Sequence, residues 1–278
     1  AMGQLDSNGL GGTLQARLRG KRASAKQLPF GLSTMPADFI NAYVLGSVGT
    51  TGSVSGACAT FLYNLKAAVE EIQSGKCRVA FVGNSEAPIT PEIIEGYSAM
   101  SALGTWQGLK KIEGNETPNC RRASRPFGKN CGFTLAESVQ YVILMDDKLA
   151  VELGAQIHGS VPDVFISADG FKKSISAPGP GNYITLTKAV ASACQLVGKE
   201  TVQQNSFVHA HGSSTPVNRV TESELLDRVA ETFNIKSWPV TAVKAFVGHS
   251  LGPASGDQLV SALGSFHYGI IPGIKTVD

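Results

Sequence analysis

Short runs that are apolar at nearly every position alternate along this chain with runs of helical period, and that alternation limits its fold more than any other feature. Residues 52–55, 79–83, 139–145, 207–211 and 240–247 read as strands. Helical spacing predicts helices over 59–74, 91–100, 147–153, 183–197, 221–233 and 256–268. Strands this apolar are expected to be covered on both faces, so the pattern predicts an α/β chain of stacked helix and sheet layers. Two polar stretches, 104–132 and 167–182, read as long irregular connections able to carry function. The 278 residues suffice for one large domain or two small ones.

One pattern occurs twice. Near Cys58 and again near His249 the sequence runs strand, small-residue turn, helix. This echo predicts two half-domains with Cys58 and His249 at equivalent places and a site in the crevice between them.

Cys58 sits in Ser55-Gly56-Ala57-Cys58-Ala59-Thr60. Behind it Phe61, Leu62, Leu65, Val69 and Ile72 recur at helical spacing, and Gly75 reads as a stop. The thiol is therefore expected at a helix N-terminus, where unpaired N–H groups and the macrodipole ease thiolate formation. Small neighbours would let a substrate carbonyl approach. From this segment alone, a buried packing cysteine is an equally good reading.

His211 ends an apolar strand in His209-Ala210-His211-Gly212-Ser213-Ser214-Thr215-Pro216, a place from which side chains reach crevices in open α/β sheets. Taken singly, it is also readable as a core histidine bonded to a carbonyl. His209, on the same strand face, reads as structural. His249 is bracketed by Gly248 and Gly252, which permit a tight turn. Lys244, at the end of an apolar strand, needs a partner if buried, and Glu222 is a candidate for an ion pair. Glu222 lies on the apolar stripe of its own helix with Leu225, Leu226, Val229 and Phe233, where a carboxylate needs a donor. A first-turn glutamate favoured by the helix dipole is the alternative.

Several classes are excluded. Twenty-four basic against 22 acidic side chains give a net charge of +2, with no basic run to read nucleic acid. The five cysteines have irregular spacings and no C-x-x-C pair, which argues against a disulfide framework or a zinc site and for a reducing cytoplasm. Residues 39–65 carry no charge, but glycine, serine and threonine dilute them too much for a membrane span. No secretory signal opens the chain, which begins abruptly at Ala1-Met2-Gly3.

Taken together, Gly56-Ala57-Cys58-Ala59-Thr60, Ala123-Ser124-Arg125-Pro126-Phe127, His211-Gly212-Ser213-Ser214-Thr215-Pro216 and Lys244 through Gly248-His249 resemble the β-ketoacyl-acyl-carrier-protein synthases of the elongating, decarboxylating type. Each motif alone is weak. In this order, along essentially the whole chain, they are highly specific. The resemblance implies a thiolase-like fold, with two pseudo-symmetric βαβαβ-type halves in an α-β-α-β-α layering. Residues 1–158 would form the nucleophile-bearing half and 159–278 the histidine-bearing half. It implies that Cys58 takes an acyl group as a thioester, its backbone N–H forming half of an oxyanion hole. His211 and His249 would stabilise the enolate released from malonyl-carrier protein, with Lys244 supporting them electrostatically and Glu222 anchoring the network. Ser213, Thr215 and Phe127 would contact substrate. The resemblance further implies no metal or organic redox cofactor, a phosphopantetheine arm delivered by an acyl carrier protein, and a homodimer built on the uncharged strand before Cys58.

The chain departs from the family pattern in three ways. The segments that relatives carry at either end, including a C-terminal Asn-Ser-Phe-Gly-Phe-Gly-Gly-type loop, are absent. Asn218 and Arg219 stand where relatives usually have Gly-Asp, and Ser213 replaces a threonine. The usual Arg-Asp-Gly-Phe is Asn130-Cys131-Gly132-Phe133. The expected reaction is decarboxylative condensation in a divergent subgroup. A catalytically impaired fragment or partner subunit, or another thiolase-fold acyltransferase, is the alternative.

Overall fold

The computed structural model describes residues 18–22, 32–175 and 177–277. The opening Ala1-Met2-Gly3, and Ser176 in the second polar connection, lie outside them. Helix α1 (Met35–Ile40) continues as a π turn over Asn41–Leu45. Helix α2 (Thr60–Gln73) buries Phe61, Leu65 and Val69 along one face and ends where Gly75 takes φ +73°. Strand β1 (Val79–Glu86) follows, then helices α3 (Pro91–Ala99) and α4 (Trp106–Glu113). Strand β2 (Ser138–Met145) pairs antiparallel with β1, from Val79 opposite Met145 to Glu86 opposite Ser138. After the short helix α5 (Asp147–Glu152), the second part adds α6 (Pro180–Val197), α7 (Lys199–Asn205), β3 (Val208–His209), α8 (Pro216–Phe233), β4 (Val240–Thr241), the helical turn α9 (Lys244–Val247) and α10 (Ala254–Tyr268). β3 and β4 pair in parallel.

Three apolar clusters hold these elements. Phe61, Leu65 and Val82 pack with Val142, Leu144 and Leu259, so α2 and α10 lie together on one face of the β1–β2 ladder. Phe61 is wholly buried, which stabilises the fold by roughly 2–3 kcal/mol. Val190, Val202, Val229 and Ile235 join α6, α7 and α8. Ile93, Phe133 and Leu251 tie α3 to the turn after His249, bridging the two parts of the chain.

The α/β reading holds, with corrections. Within the described residues β1 and β2 are covered on one face only. Val79, Phe81, Val139 and Ile143 alternate onto the other face and are exposed, and Phe81 stacks on Tyr141 there. Residues 52–55 form no strand, because among the described residues no second backbone pairs with them; Val54 N–H donates instead to Asn64 Oδ1 (2.9 Å). The strand expected over 240–247 stops at Thr241, and Lys244–Val247 turns helical; its neighbour β3 ends at His209, leaving nothing to pair with beyond. The connection over 104–132 contains α4, capped by the Thr105 hydroxyl accepting from Gly108 N–H (3.1 Å) and closed by Gly114 at φ +64°. Of the repeated pattern, the small-residue turns and their helices recur, whereas the preceding strands do not.

Candidate active site

Cys58 lies in the 3-10 turn Ala57–Ala59 that feeds directly into α2. Ala57 takes φ +48°, a left-handed conformation that costs a non-glycine residue of order 1 kcal/mol. Thr60 holds this elbow: its hydroxyl donates to the Ala57 carbonyl (2.7 Å) and accepts from Gly56 N–H (3.0 Å). A Cβ at Gly56 would stand 2.5 Å from the Tyr63 ring, so any larger residue there requires that ring to move. The elbow turns Cys58 out of the backbone line, and α2 anchors its C-terminal side.

His211 is held through its own peptide. Glu222 Oε1 accepts from His211 N–H (2.6 Å), Glu222 Oε2 accepts from Gly212 N–H (2.8 Å), and Lys244 Nζ donates to the His211 carbonyl (2.7 Å). Glu222 sits in the second turn of α8, which starts at Pro216, so it is not the first-turn glutamate of the alternative reading. It also does not form an ion pair with Lys244; the two meet through the His211 backbone between them. Lys244 is 1% exposed. Ser124 Oγ donates to its carbonyl (2.5 Å), which fixes the start of α9.

His249 is pinned by a short bridge: its N–H donates to Thr134 O (2.8 Å) and its carbonyl accepts from Ala136 N–H (3.0 Å). Gly248 at φ +77° makes that approach possible, because a Cβ would stand 2.9 Å from Thr134 O. Leu251, itself at φ +61°, donates its N–H to His249 Nδ1 (3.1 Å). With Nδ1 accepting, the proton of the neutral ring belongs on Nε2. The His211 and His249 rings meet edge to face at 5.4 Å.

These three turns converge. Cys58 Sγ and one ring nitrogen each of His211 and His249 lie within 4.8 Å of one another. Burial, and after it the Lys244 charge, pushes His211 down to about 3 and His249 well below the usual histidine range, so both rings are neutral N–H donors at neutral pH. Burial pushes Lys244 down to about 8, opposed by the nearby Cys58, Glu222 and Asp257 charges. Burial raises Glu222 against the three donors it accepts from and the Lys244 charge. The Cys58 thiol departs from the expectation of easier ionisation. Its pKa is raised by burial, partly offset by Lys244 and by its own N–H, with Glu86 adding to the rise. Desolvation of the sulfur is the largest of these effects.

Such a cluster can hold a neutral thiol against two directed N–H donors, which suits acyl transfer to sulfur and then stabilisation of an oxygen anion. A sulfur with two neutral imidazoles is also a soft-metal donor set. His209 lies outside the cluster; burial lowers it to about 4, so it stays neutral as a structural residue. Ser213 turns its hydroxyl to Thr215 (3.0 Å), and Phe127 takes φ +61° in the loop after Pro126. The two loops carrying them are tied together, with Arg125 N–H donating to Ser214 Oγ (2.7 Å) and Ser214 Oγ to Gly132 O (2.9 Å).

Sequence reasoning missed several supporting groups. Glu86 accepts from Gly252 N–H (2.9 Å) beside the site, and its signal was a carboxylate ending an apolar strand. Asp257 accepts from Ser138 Oγ and Ser250 Oγ (2.6 Å each) and from Gln140 Nε2 (2.9 Å), joining β2 to the turn after His249. Leu251 gave no signal at all, because its contribution is a backbone N–H.

The sequence profile described as "Beta-ketoacyl synthase, N-terminal domain" matches residues 10–150, and that described as "Beta-ketoacyl synthase, C-terminal domain" matches residues 158–278. The chain is 72% identical over 277 residues to the beta-ketoacyl-[acyl-carrier-protein] synthase FabY of Pseudomonas aeruginosa, spanning all of this chain and 44% of that protein. The crystal structure of that ketosynthase superposes with a TM-score of 0.97, covering 100% of this chain and 43% of the solved one. The 3-oxoacyl-[acyl-carrier-protein] synthase 1 of Escherichia coli is 31% identical over 225 residues, 80% of this chain and 50% of its own. A type II polyketide ketosynthase solved with its acyl carrier protein shares the fold, with a TM-score of 0.74 at 23% identity over 91% of this chain and 60% of that one. The chain spans about half the length of the curated relatives it matches.

Proposed function

Because the chain belongs to the β-ketoacyl synthase family, we propose that in its natural full-length protein it carries the centre of a decarboxylative Claisen condensation. The observation that carries this reading is the meeting of Cys58 Sγ with the His211 and His249 nitrogens within 4.8 Å, both rings held neutral by burial.

Cys58 Sγ attacks the thioester carbonyl of an acyl-carrier protein, with a backbone N–H at the elbow facing the developing oxyanion. The new C–S bond replaces the old one, and the thiol proton leaves with the pantetheine sulfur. Malonyl-carrier protein then enters, and its thioester oxygen accepts from the two imidazole N–H groups. The bond to the carboxylate breaks, carbon dioxide departs, and the electron pair stays as an enolate whose negative oxygen these donors stabilise. The enolate carbon attacks the acyl-Cys58 carbonyl. Collapse expels the Cys58 thiolate, which takes one proton from water.

Ser213, Thr215 and Phe127, on loops flanking His211 and Pro126, are the proposed substrate contacts. The reaction as written uses neither metal nor redox cofactor, and the carrier protein's pantetheine arm brings both substrates. A homodimer is proposed from the charge-free segment before Cys58, in which Tyr43, Val44, Val48 and Val54 are exposed. The cytoplasm is proposed from five free cysteines. No helix among the described residues is long and apolar enough to cross a membrane.

The test is acylation of the full-length protein by an acyl-carrier thioester, located by mass spectrometry. Label on Cys58, absent in Cys58→Ala, together with carbon dioxide release from malonyl-carrier protein, supports the reading. Acyl uptake at the same peptide in Cys58→Ala ends it. Acetyl-CoA exchange without malonyl decarboxylation would favour a thiolase-type activity instead.

A further inference from the structure

Glu222 has a third donor besides the His211 and Gly212 peptide groups. Asn218 stands one helical turn before it on α8, and Asn218 Nδ2 donates to Glu222 Oε2 at 2.9 Å, the oxygen that also accepts from Gly212 N–H. Arg219 turns away and donates through Nη1 to the Gly128 carbonyl (3.1 Å). Glu222 works here with one neutral side-chain donor. The charged or titratable groups facing it are Lys244 from α9 and His211 from the preceding turn.

A carboxylate on three rotatable bonds that takes a single N–H on each oxygen can still turn about the line joining those oxygens, and a third donor off that line removes the freedom. Oε1 takes the His211 N–H; without Asn218, Oε2 would keep the Gly212 N–H alone, and the carboxylate plane could pivot about that pair. The His211 peptide would pivot with it, and its ring moves with the peptide. The α-helix sets the 218–222 separation, so the amide arrives pre-aimed.

We infer that Asn218 is a positioning residue: through Glu222 it fixes the direction of the His211 ring, and so governs decarboxylation rather than acylation of Cys58. This rests on the condensation proposed above.

The experiment separates the two half-reactions in the full-length protein, comparing wild type, Asn218→Ala and Asn218→Asp. Acylation of Cys58 is tracked by mass spectrometry, and decarboxylation by carbon dioxide release from malonyl-carrier protein. Asn218→Ala is expected to lower decarboxylation about tenfold, the scale of one hydrogen bond to a charged group, and to leave acylation within about twofold. Asn218→Asp should be at least as slow at pH 8, where two carboxylates face each other. It should recover as pH falls, because a protonated aspartic acid can donate to Glu222 as the amide does. Asn218→Ala should show no such recovery. Wild-type decarboxylation with an unaffected Asn218→Ala overturns the inference and leaves the condensation standing. Equal loss of both half-reactions, with no low-pH recovery in Asn218→Asp, overturns it as general destabilisation. A wild type that does not decarboxylate malonyl-carrier protein removes the condensation itself.

Discussion

The two sides of the candidate site are built in opposite ways. The Cys58 side is built mainly from its own turn: a left-handed Ala57, a threonine four residues after Gly56 that ties the elbow, and a helix that starts at once, with Ser255 Oγ donating to the Cys58 carbonyl (3.5 Å) as a distant tie. Its thiol keeps some exposure, as His211 does, whereas His249 is buried. The histidine side is assembled from distance. His211 depends on Glu222 and Lys244, and His249 on Thr134, Ala136 and Leu251. In the proposed condensation the nucleophile has to be reached by a substrate arm, which fits a placement mainly by its own turn. The donors must stay neutral and aimed, which requires burial, and burial requires that every peptide group around them be satisfied.

That contrast predicts separable losses. Cys58→Ala should remove acyl-enzyme formation by about a thousandfold or more while the chain stays folded, read by intact-mass acylation and thermal melting. His249→Ala should leave acylation nearly intact and cut malonyl decarboxylation by roughly a hundred- to a thousandfold, as expected for removing one donor from an anion-stabilising pair. Equal loss of both steps would erase the division between the two sides.

Lys244 sharpens it through pH. Its charge is lost as pH rises through about 8, so decarboxylation should fall above that value while Cys58 acylation does not fall with it. Lys244→Met should lower the rate about tenfold and flatten that limb. The stability consequence has its own sign. Unfolded lysine titrates near 10.5, so between about 8 and 10.5 the unfolded state holds the extra proton, and stability should rise with pH across that window. His211, ordinarily near 6.5 and about 3 here, works at the other end: stability is kept above 6.5 and lost as pH falls toward about 3. Urea melts from about pH 3 to pH 10 check both.

Two smaller effects concern the scaffold. Gly256 lets α10 lie on α2, since a Cβ would stand 2.6 Å from Gln140 Cβ and 2.9 Å from the Phe61 ring. Gly256→Ala should cost about 1–3 kcal/mol in chemical denaturation and slow both half-reactions. Thr60→Ala removes the two elbow bonds and should cost about 1 kcal/mol, with the acylation rate affected more than decarboxylation.

The helices that bury one clean stripe were legible in the sequence, as were β1 and β2, because a periodic apolar pattern needs no knowledge of its partner. Helix α4 was hidden in a polar stretch, although Thr105 and Gly114 are ordinary cap residues. The strand read through 240–247 failed for a different reason. Its residues are apolar, but a strand exists only where another backbone pairs with it, and β3 ends too soon.

By itself the sequence determined the identities and order of the reacting groups: one cysteine at a small-residue turn, two histidines in glycine-flanked turns, and a lysine and a glutamate on apolar faces. Only the tertiary structure decided their states. Burial keeps the imidazoles neutral and raises the thiol, and hydrogen bonds to peptide groups, which no side-chain pattern records, hold the turns that carry the rings. Charge and direction depend on what surrounds a group in space, and the surroundings of each come from segments far away in the chain.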